Sequence, residues 1–101
     1  MVREWPDALA IVPLGPVVAG HLLVIPRTHV RDFADDPAIT GATWQRTATL
    51  ARDLELQAAN GLTSMGPEAT QTVFHLHVHL VPRVWGDGLA LPWDDGYTQA
   101  A

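Results

Sequence analysis

The stretch Phe74-His75-Leu76-His77-Val78-His79-Leu80-Val81-Pro82-Arg83 alternates imidazole and aliphatic side chains from residue 75 to residue 80. Successive side chains on a β-strand point to opposite faces, so a period of two reads as a strand with one buried face. The spacing predicts a strand over residues 72–81, ended by Pro82, with Leu76, Val78 and Leu80 entering a core. His75, His77 and His79 then stand in a row on the other face, about 6.6 Å between neighbours at the rise of an extended chain.

The rest of the chain supplies partners for that strand. Residues 8–13 form a short apolar strand candidate, and residues 21–26, His21-Leu22-Leu23-Val24-Ile25-Pro26, form a second that reads as central. Gly15, Pro16 and Gly20 punctuate the connection, so the two should pair antiparallel. Residues 62–65 read as a third short strand. Between residues 39 and 60 the period changes: Trp44, Ala48, Ala51, Leu54 and Ala58 recur at three and four, one face of an α-helix, with Asn60-Gly61 as its stop signal. The expected fold is α+β, an antiparallel sheet of about four to five strands with one long helix packed on one face. One domain over residues 1–101 is expected, with an irregular Gly-, Asp- and Trp-rich tail over about 84–101.

Composition narrows the function. A formal net charge of −5 argues against binding duplex nucleic acid, which needs basic surface to displace counterions. A small phosphate-bearing ligand needs far less. The chain has no cysteine, hence no thiolate nucleophile and no Cys-based zinc site. No apolar run approaches the roughly 20 residues that span a bilayer, and residues 1–7 lack a signal-peptide pattern, so a cytoplasmic location is expected.

The histidine row can be read in three ways. As a metal grip it is limited, because three ligands in a straight row span about 13 Å. Two of them with His21 could still hold one zinc. As solvated surface histidines, three in phase on a hydrophobic strand lack a reason. As a catalytic row they suit phosphoryl or nucleotidyl transfer. A neutral imidazole is a competent nucleophile near neutral pH, its reference pKa being about 6.5. Such a nucleophile keeps one nitrogen lone pair free while the other nitrogen donates a hydrogen bond. A flanking imidazole, if protonated, would stabilise the phosphate oxygens.

The segment Gly66-Pro67-Glu68-Ala69-Thr70-Gln71-Thr72-Val73-Phe74-His75-Leu76-His77-Val78-His79-Leu80-Val81-Pro82-Arg83 resembles the signature of the histidine triad (HIT) superfamily, with flanks most similar to the Fhit-like and bacterial HIT hydrolases. Ala19-Gly20-His21-Leu22-Leu23-Val24-Ile25-Pro26-Arg27-Thr28-His29-Val30 resembles the superfamily as well, and the likeness runs from about Val2 to Asp87. The resemblance implies a hydrolase or nucleotidyl transferase acting at the α-phosphorus of a dinucleoside polyphosphate or an adenosine phosphoramidate. His77 aligns with the nucleophile, His79 with the histidine contacting phosphate oxygens, and His75 with the residue whose carbonyl orients the nucleophile. His21 aligns with a fourth histidine near the triad. Gln71 and Thr72 align with the pair contacting phosphate or the bridging oxygen, while Ile11 and Leu22 would line an apolar base pocket. No redox cofactor is implied, and a divalent metal would assist only with a polyphosphate substrate. A homodimer is expected.

The chain departs from that pattern. Pro13 stands where relatives carry the Asp or Asn that binds ribose hydroxyls, and Ser64 where they carry a Gln or Asn that bonds the leaving group. The strand-forming stretch relatives carry before the Val2 equivalent is missing, which leaves a sheet edge that a dimer would cover. The Pro13 and Ser64 departures keep open a nucleotide-binding module without turnover, and a His-based zinc-binding protein using His21 with two triad histidines is a further alternative. Trp44 reads as helix packing, and Trp85 and Trp93 as packing with base stacking as the alternative. Arg83 either attracts phosphate or ends a solvated strand. His29 reads as a capping or packing residue, and Asp94-Asp95 as a solvated turn.

Overall fold

A computed structural model describes residues 2–93 of the chain. Five strands, β1 (Arg3–Glu4), β2 (Ala8–Ile11), β3 (Leu22–Pro26), β4 (Ala59–Leu62) and β5 (Val78–Pro82), form one sheet in the order β1-β2-β3-β5-β4. Every neighbouring pair is antiparallel. One helix, α1 (Pro37–Asp53), connects β3 to β4. The expected α+β architecture is present.

The register sorts the side chains onto two faces. On one face Ala10 pairs with Val24 and Val24 with Val78, while Leu22 pairs with Leu80. This face packs under α1, where Ala10, Leu22, Val24, Leu50 and Leu80 form the buried core with Trp5, Ala51 and Leu56 at its margin. On the other face Ile11 pairs with Leu23, Leu23 with His79, and His79 with Leu62. A single row crossing four strands therefore carries one imidazole among aliphatic neighbours.

The helix differs from its expected span of 39–60. Asp36 caps its start, accepting from the Ala38 and Ile39 amides, with Pro37 at the first helical position, where a missing N–H costs nothing. It ends at Asp53 because Glu55 turns left-handed (φ 56°) and the chain leaves for β4. Asn60-Gly61 is thus no helix stop but part of β4. Gly61 is required there for packing, since a Cβ would lie 2.5 Å from Cζ3 of Trp44. Trp44 does serve helix packing, through this contact at the rim.

The buried stripe of α1 is Thr43, Thr47 and Leu50, one position round from the expected Trp44, Ala48, Ala51 and Leu54. Two threonines can face the core because their hydroxyls bond back to the helix: Thr43 Oγ1 donates to the Ile39 carbonyl (2.8 Å) and Thr47 Oγ1 to that of Thr43 (2.9 Å).

The histidine strand is shorter than expected. Leu76, Val78 and Leu80 are buried as their alternation requires, but the ladder starts only at Val78. Residues 73–75 bend, and Leu76 is held by its amide donating to the Val30 carbonyl (2.8 Å). The strand expected at 62–65 lies three residues earlier, as β4. Strand β1 was not expected. It is fastened by Arg3, whose guanidinium meets the Asp53 carboxylate at 2.8 Å. Residues 83–89 close into a turn around Arg83, which donates to both Asp87 carboxylate oxygens (2.7 and 3.0 Å), to Asn60 Oδ1 (2.7 Å) and to the Leu89 carbonyl (2.7 Å). That pairing holds the Asp87 carboxyl well below the usual carboxylate range. Asp94-Asp95 lie outside the described residues.

Candidate active site

The five histidines of the chain form one connected group that starts from His79 on the face of the sheet away from α1: His21 bonds His79, the His77 ring meets His79 edge-on, the His75 carbonyl holds His77, and His29 bonds His75. His79 comes from β5. His21 immediately precedes β3 and falls on the same face. His75 and His77 come from the segment leading into β5, and His29 from the segment leaving β3. They form two hydrogen-bonded pairs with His77 between them.

His77 is oriented by backbone. Its Nδ1 lies 2.8 Å from the His75 carbonyl oxygen. A carbonyl can only accept, so Nδ1 carries the proton, and in the neutral ring Nε2 keeps its lone pair. Thr63 Oγ1 donates to the His77 carbonyl (2.8 Å), fixing the backbone on the other side.

The inner pair is His21 and His79. The Val17 amide donates to His21 Nδ1 (3.1 Å), so the His21 proton sits on Nε2, which donates to His79 Nδ1 at 2.9 Å. The His79 proton is thereby placed on Nε2. His21 is buried, and His79 lies under the edge of the His77 ring, with centroids 5.2 Å apart. Burial lowers the pKa of His79 to about 4, and the neighbouring His77 and His21 rings oppose a further positive charge. Burial lowers the pKa of His21 too. At neutral pH His79 is therefore an uncharged N–H donor, not the cation that the alternation by itself left open.

The outer pair is His75 and His29. His75 Nε2 donates to the Pro26 carbonyl (2.9 Å), and its Nδ1 lies 2.9 Å from His29 Nδ1. His29 is exposed, yet it packs against His75 with ring centroids 4.9 Å apart.

The remaining expected site residues are spread more widely. Ile11 lies on the histidine face, half-buried, but Leu22 points the other way and belongs to the core under α1. Leu23, its neighbour, is the residue that sits across from His79. Gln71 is buried and committed to the fold. Its side-chain amide donates to the Arg31 and Val73 carbonyls, its side-chain oxygen accepts from the Gly66 amide, and its own amide donates to the Gly66 carbonyl. Thr72 is exposed just ahead of the bend. Ser64 is half-buried, beside the Thr63 that holds His77. Pro13 is half-buried in the loop between β2 and β3. Arg83 is drawn into its own turn. Trp85 and Trp93 are both about three-quarters exposed, Trp85 at 77% and Trp93 at 76%, so neither packs into the core. Leu23, Thr63 and His29 went unread as site residues. For Leu23 the strand alternation carried the signal, whereas the partners of Thr63 and His29 lie 14 and 46 residues away.

Among the described residues no group of three or more His, Asp or Glu side chains is arranged to hold a metal ion, and no helix is long and apolar enough to cross a membrane. A family model described as the HIT domain matches residues 1–85. The chain belongs to the HIT-domain family. An uncharacterized HIT-like protein of Mycobacterium tuberculosis is 40% identical over 97 residues, which span 89% of this chain and 67% of that one. The bifunctional bis(5'-adenosyl)-triphosphatase/adenylylsulfatase FHIT of Arabidopsis thaliana is 39% identical over 87 residues, 81% of this chain and 48% of that protein. Among solved structures, a Zn-bound histidine triad family protein from Mycobacterium smegmatis superposes with a TM-score of 0.72 at 40% identity, covering 92% of this chain and 71% of that one. At the level of class, HIT membership and the plant relative support a nucleotide hydrolase or transferase.

Proposed function

We propose that this HIT-domain chain cleaves nucleoside phosphate conjugates at the α-phosphorus, with His77 as the nucleophile. The observation that carries this reading is the 2.8 Å hydrogen bond from His77 Nδ1 to the His75 carbonyl, which leaves Nε2 with its lone pair. In the first step Nε2 attacks phosphorus, a P–N bond forms, and the leaving group departs with the electron pair of the broken bond and takes up a proton from solvent. The imidazole becomes cationic in that step, and the carbonyl on Nδ1 stabilises the developing charge. In the second step water attacks phosphorus, the P–N electron pair returns to Nε2, and the proton of the water passes to solvent. His79 Nε2–H, fixed by the Val17–His21–His79 chain, is the donor for a non-bridging oxygen. Ser64 and Thr72 are the hydroxyls expected near the leaving group, and Gln71 shapes the loop that carries Thr72.

The candidate substrates are adenosine phosphoramidates and dinucleoside polyphosphates, the latter with a divalent cation riding on the phosphates. The protein is expected to act as a homodimer. The test is turnover of adenosine 5'-phosphoramidate by the native chain and by His77→Ala. Turnover by the first and none by the second supports the reading, whereas equal binding with no turnover by either identifies a nucleotide-binding module. The Zn-bound relative keeps one second reading in view, that His21 and two triad histidines hold zinc. Here both ring nitrogens of His21 are engaged, by the Val17 amide and by His79, so a metal on His21 would have to displace one of these partners. Stoichiometric zinc surviving dialysis would favour the zinc reading.

A further inference from the structure

We propose that His29 is a positioning residue for the reaction at His77, acting through the side chain and carbonyl of His75. This rests on the reading of His77 as nucleophile. The bonds impose the direction of the relay. The Pro26 carbonyl accepts only, so His75 Nε2 carries the proton of a neutral ring and His75 Nδ1 presents a lone pair. The nitrogen facing it at 2.9 Å, His29 Nδ1, must then donate. The His75 ring is gripped at both nitrogens, by Pro26 at the end of β3 and by His29 just beyond it.

That grip matters because of what the His75 backbone does. Its carbonyl is the acceptor that sets the tautomer and aim of His77. Residues 73–75 are bent and unladdered, since β5 begins only at Val78. The nearby backbone anchor is the Leu76 amide on the Val30 carbonyl, beside His29 itself. The segment from Pro26 to Val30 therefore holds the bend at three points, and His29 is the one that can be changed without touching core or backbone. Its own Nε2 takes no part in these bonds.

The test compares His29→Ala with His29→Asn, because an asparagine amide reaches roughly where imidazole Nδ1 sits and can still donate. With adenosine 5'-phosphoramidate, His29→Ala is expected to lose about tenfold or more in kcat with KM within about twofold, since a misaimed nucleophile costs rate more than binding. His29→Asn should recover most of the loss. Independently of turnover, ¹⁵N NMR of the native chain should show His77 protonated at Nδ1 and His75 at Nε2, and His29→Ala should broaden or shift the His75 and His77 signals while His29→Asn preserves them. Unchanged kcat and unchanged ring signals in His29→Ala would overturn the proposal. Equal losses in both variants would also overturn it, marking His29 as merely structural. If the native chain turns over nothing, the reading of His77 fails, and the ring signals still decide whether His29 holds the row.

Discussion

His21 meets His79 across 2.9 Å at one end of the histidine row, and His29 meets His75 across 2.9 Å at the other, yet the first pair is anchored by a buried ring and the second by an exposed one. In the inner pair His21 Nδ1 accepts from the Val17 amide, His21 Nε2 donates, and His79 Nδ1 accepts. Only His79 Nε2 remains, and it already carries hydrogen. A further proton must break a hydrogen bond in a buried site, in line with the lowered pKa of both rings. In the outer pair His29 stands at an exposed position and reaches His75 through Nδ1 alone. The comparison separates two tasks that one residue type performs. Burial keeps the inner pair neutral at pH 7, and the outer pair, with His29 exposed, braces the bend ahead of β5.

The largest expected effect separates the pairs by rate. His79→Ala, which removes the proposed donor to the transferring phosphoryl group, should lower kcat by on the order of 10²–10³, well beyond the loss in His29→Ala. Equal losses measured side by side would break the comparison. Stability should divide the same way. His21→Ala strands the Val17 amide and His79 Nδ1, and is expected to cost roughly 1–3 kcal/mol in urea unfolding at pH 7.5.

The pH dependence sharpens the same point. His79 titrates near 6.5 when unfolded and near 4 when folded, so on acidification the unfolded chain binds the proton first. Its contribution is complete above pH 6.5 and is lost as pH falls towards 4. The urea midpoint should decline across that window in the native chain and decline less in His79→Gln. The smallest effect expected is that of His29→Ala on stability, under about 0.5 kcal/mol, because the ring is exposed. A larger loss would mean the outer pair is structural.

What the sequence revealed about this molecule follows the range of the interactions. Alternation over residues 75–80 placed Leu76, Val78 and Leu80 in the core and the three imidazoles opposite, because strand geometry is local. It overextended the strand, since where a ladder begins depends on the partner, and β3 pairs only as far as Val78. The buried helix face lies one position round from the apolar pattern because Thr43 and Thr47 satisfy their hydroxyls within the helix, which hydropathy does not register. Asn60-Gly61 reads equally as a helix stop and as a glycine accommodating a close neighbour, and only Trp44 against Gly61 decides between them. The pairing of His29 with His75 has no local signature at all. The resemblance to the HIT superfamily located His77, His79 and His21, but the neutrality of His79 emerges only from its burial and the bond to His21.

The proposed activity turns on the free lone pair of His77 forming a bond to phosphorus. Rapid acid-free quenching of the chain with adenosine 5'-phosphoramidate, followed by peptide mass spectrometry, measures that bond directly. An adenylyl mass is expected on the peptide carrying His77, absent from His77→Ala and decaying as product appears. Turnover with no such adduct, or with the adduct on another residue, would contradict it.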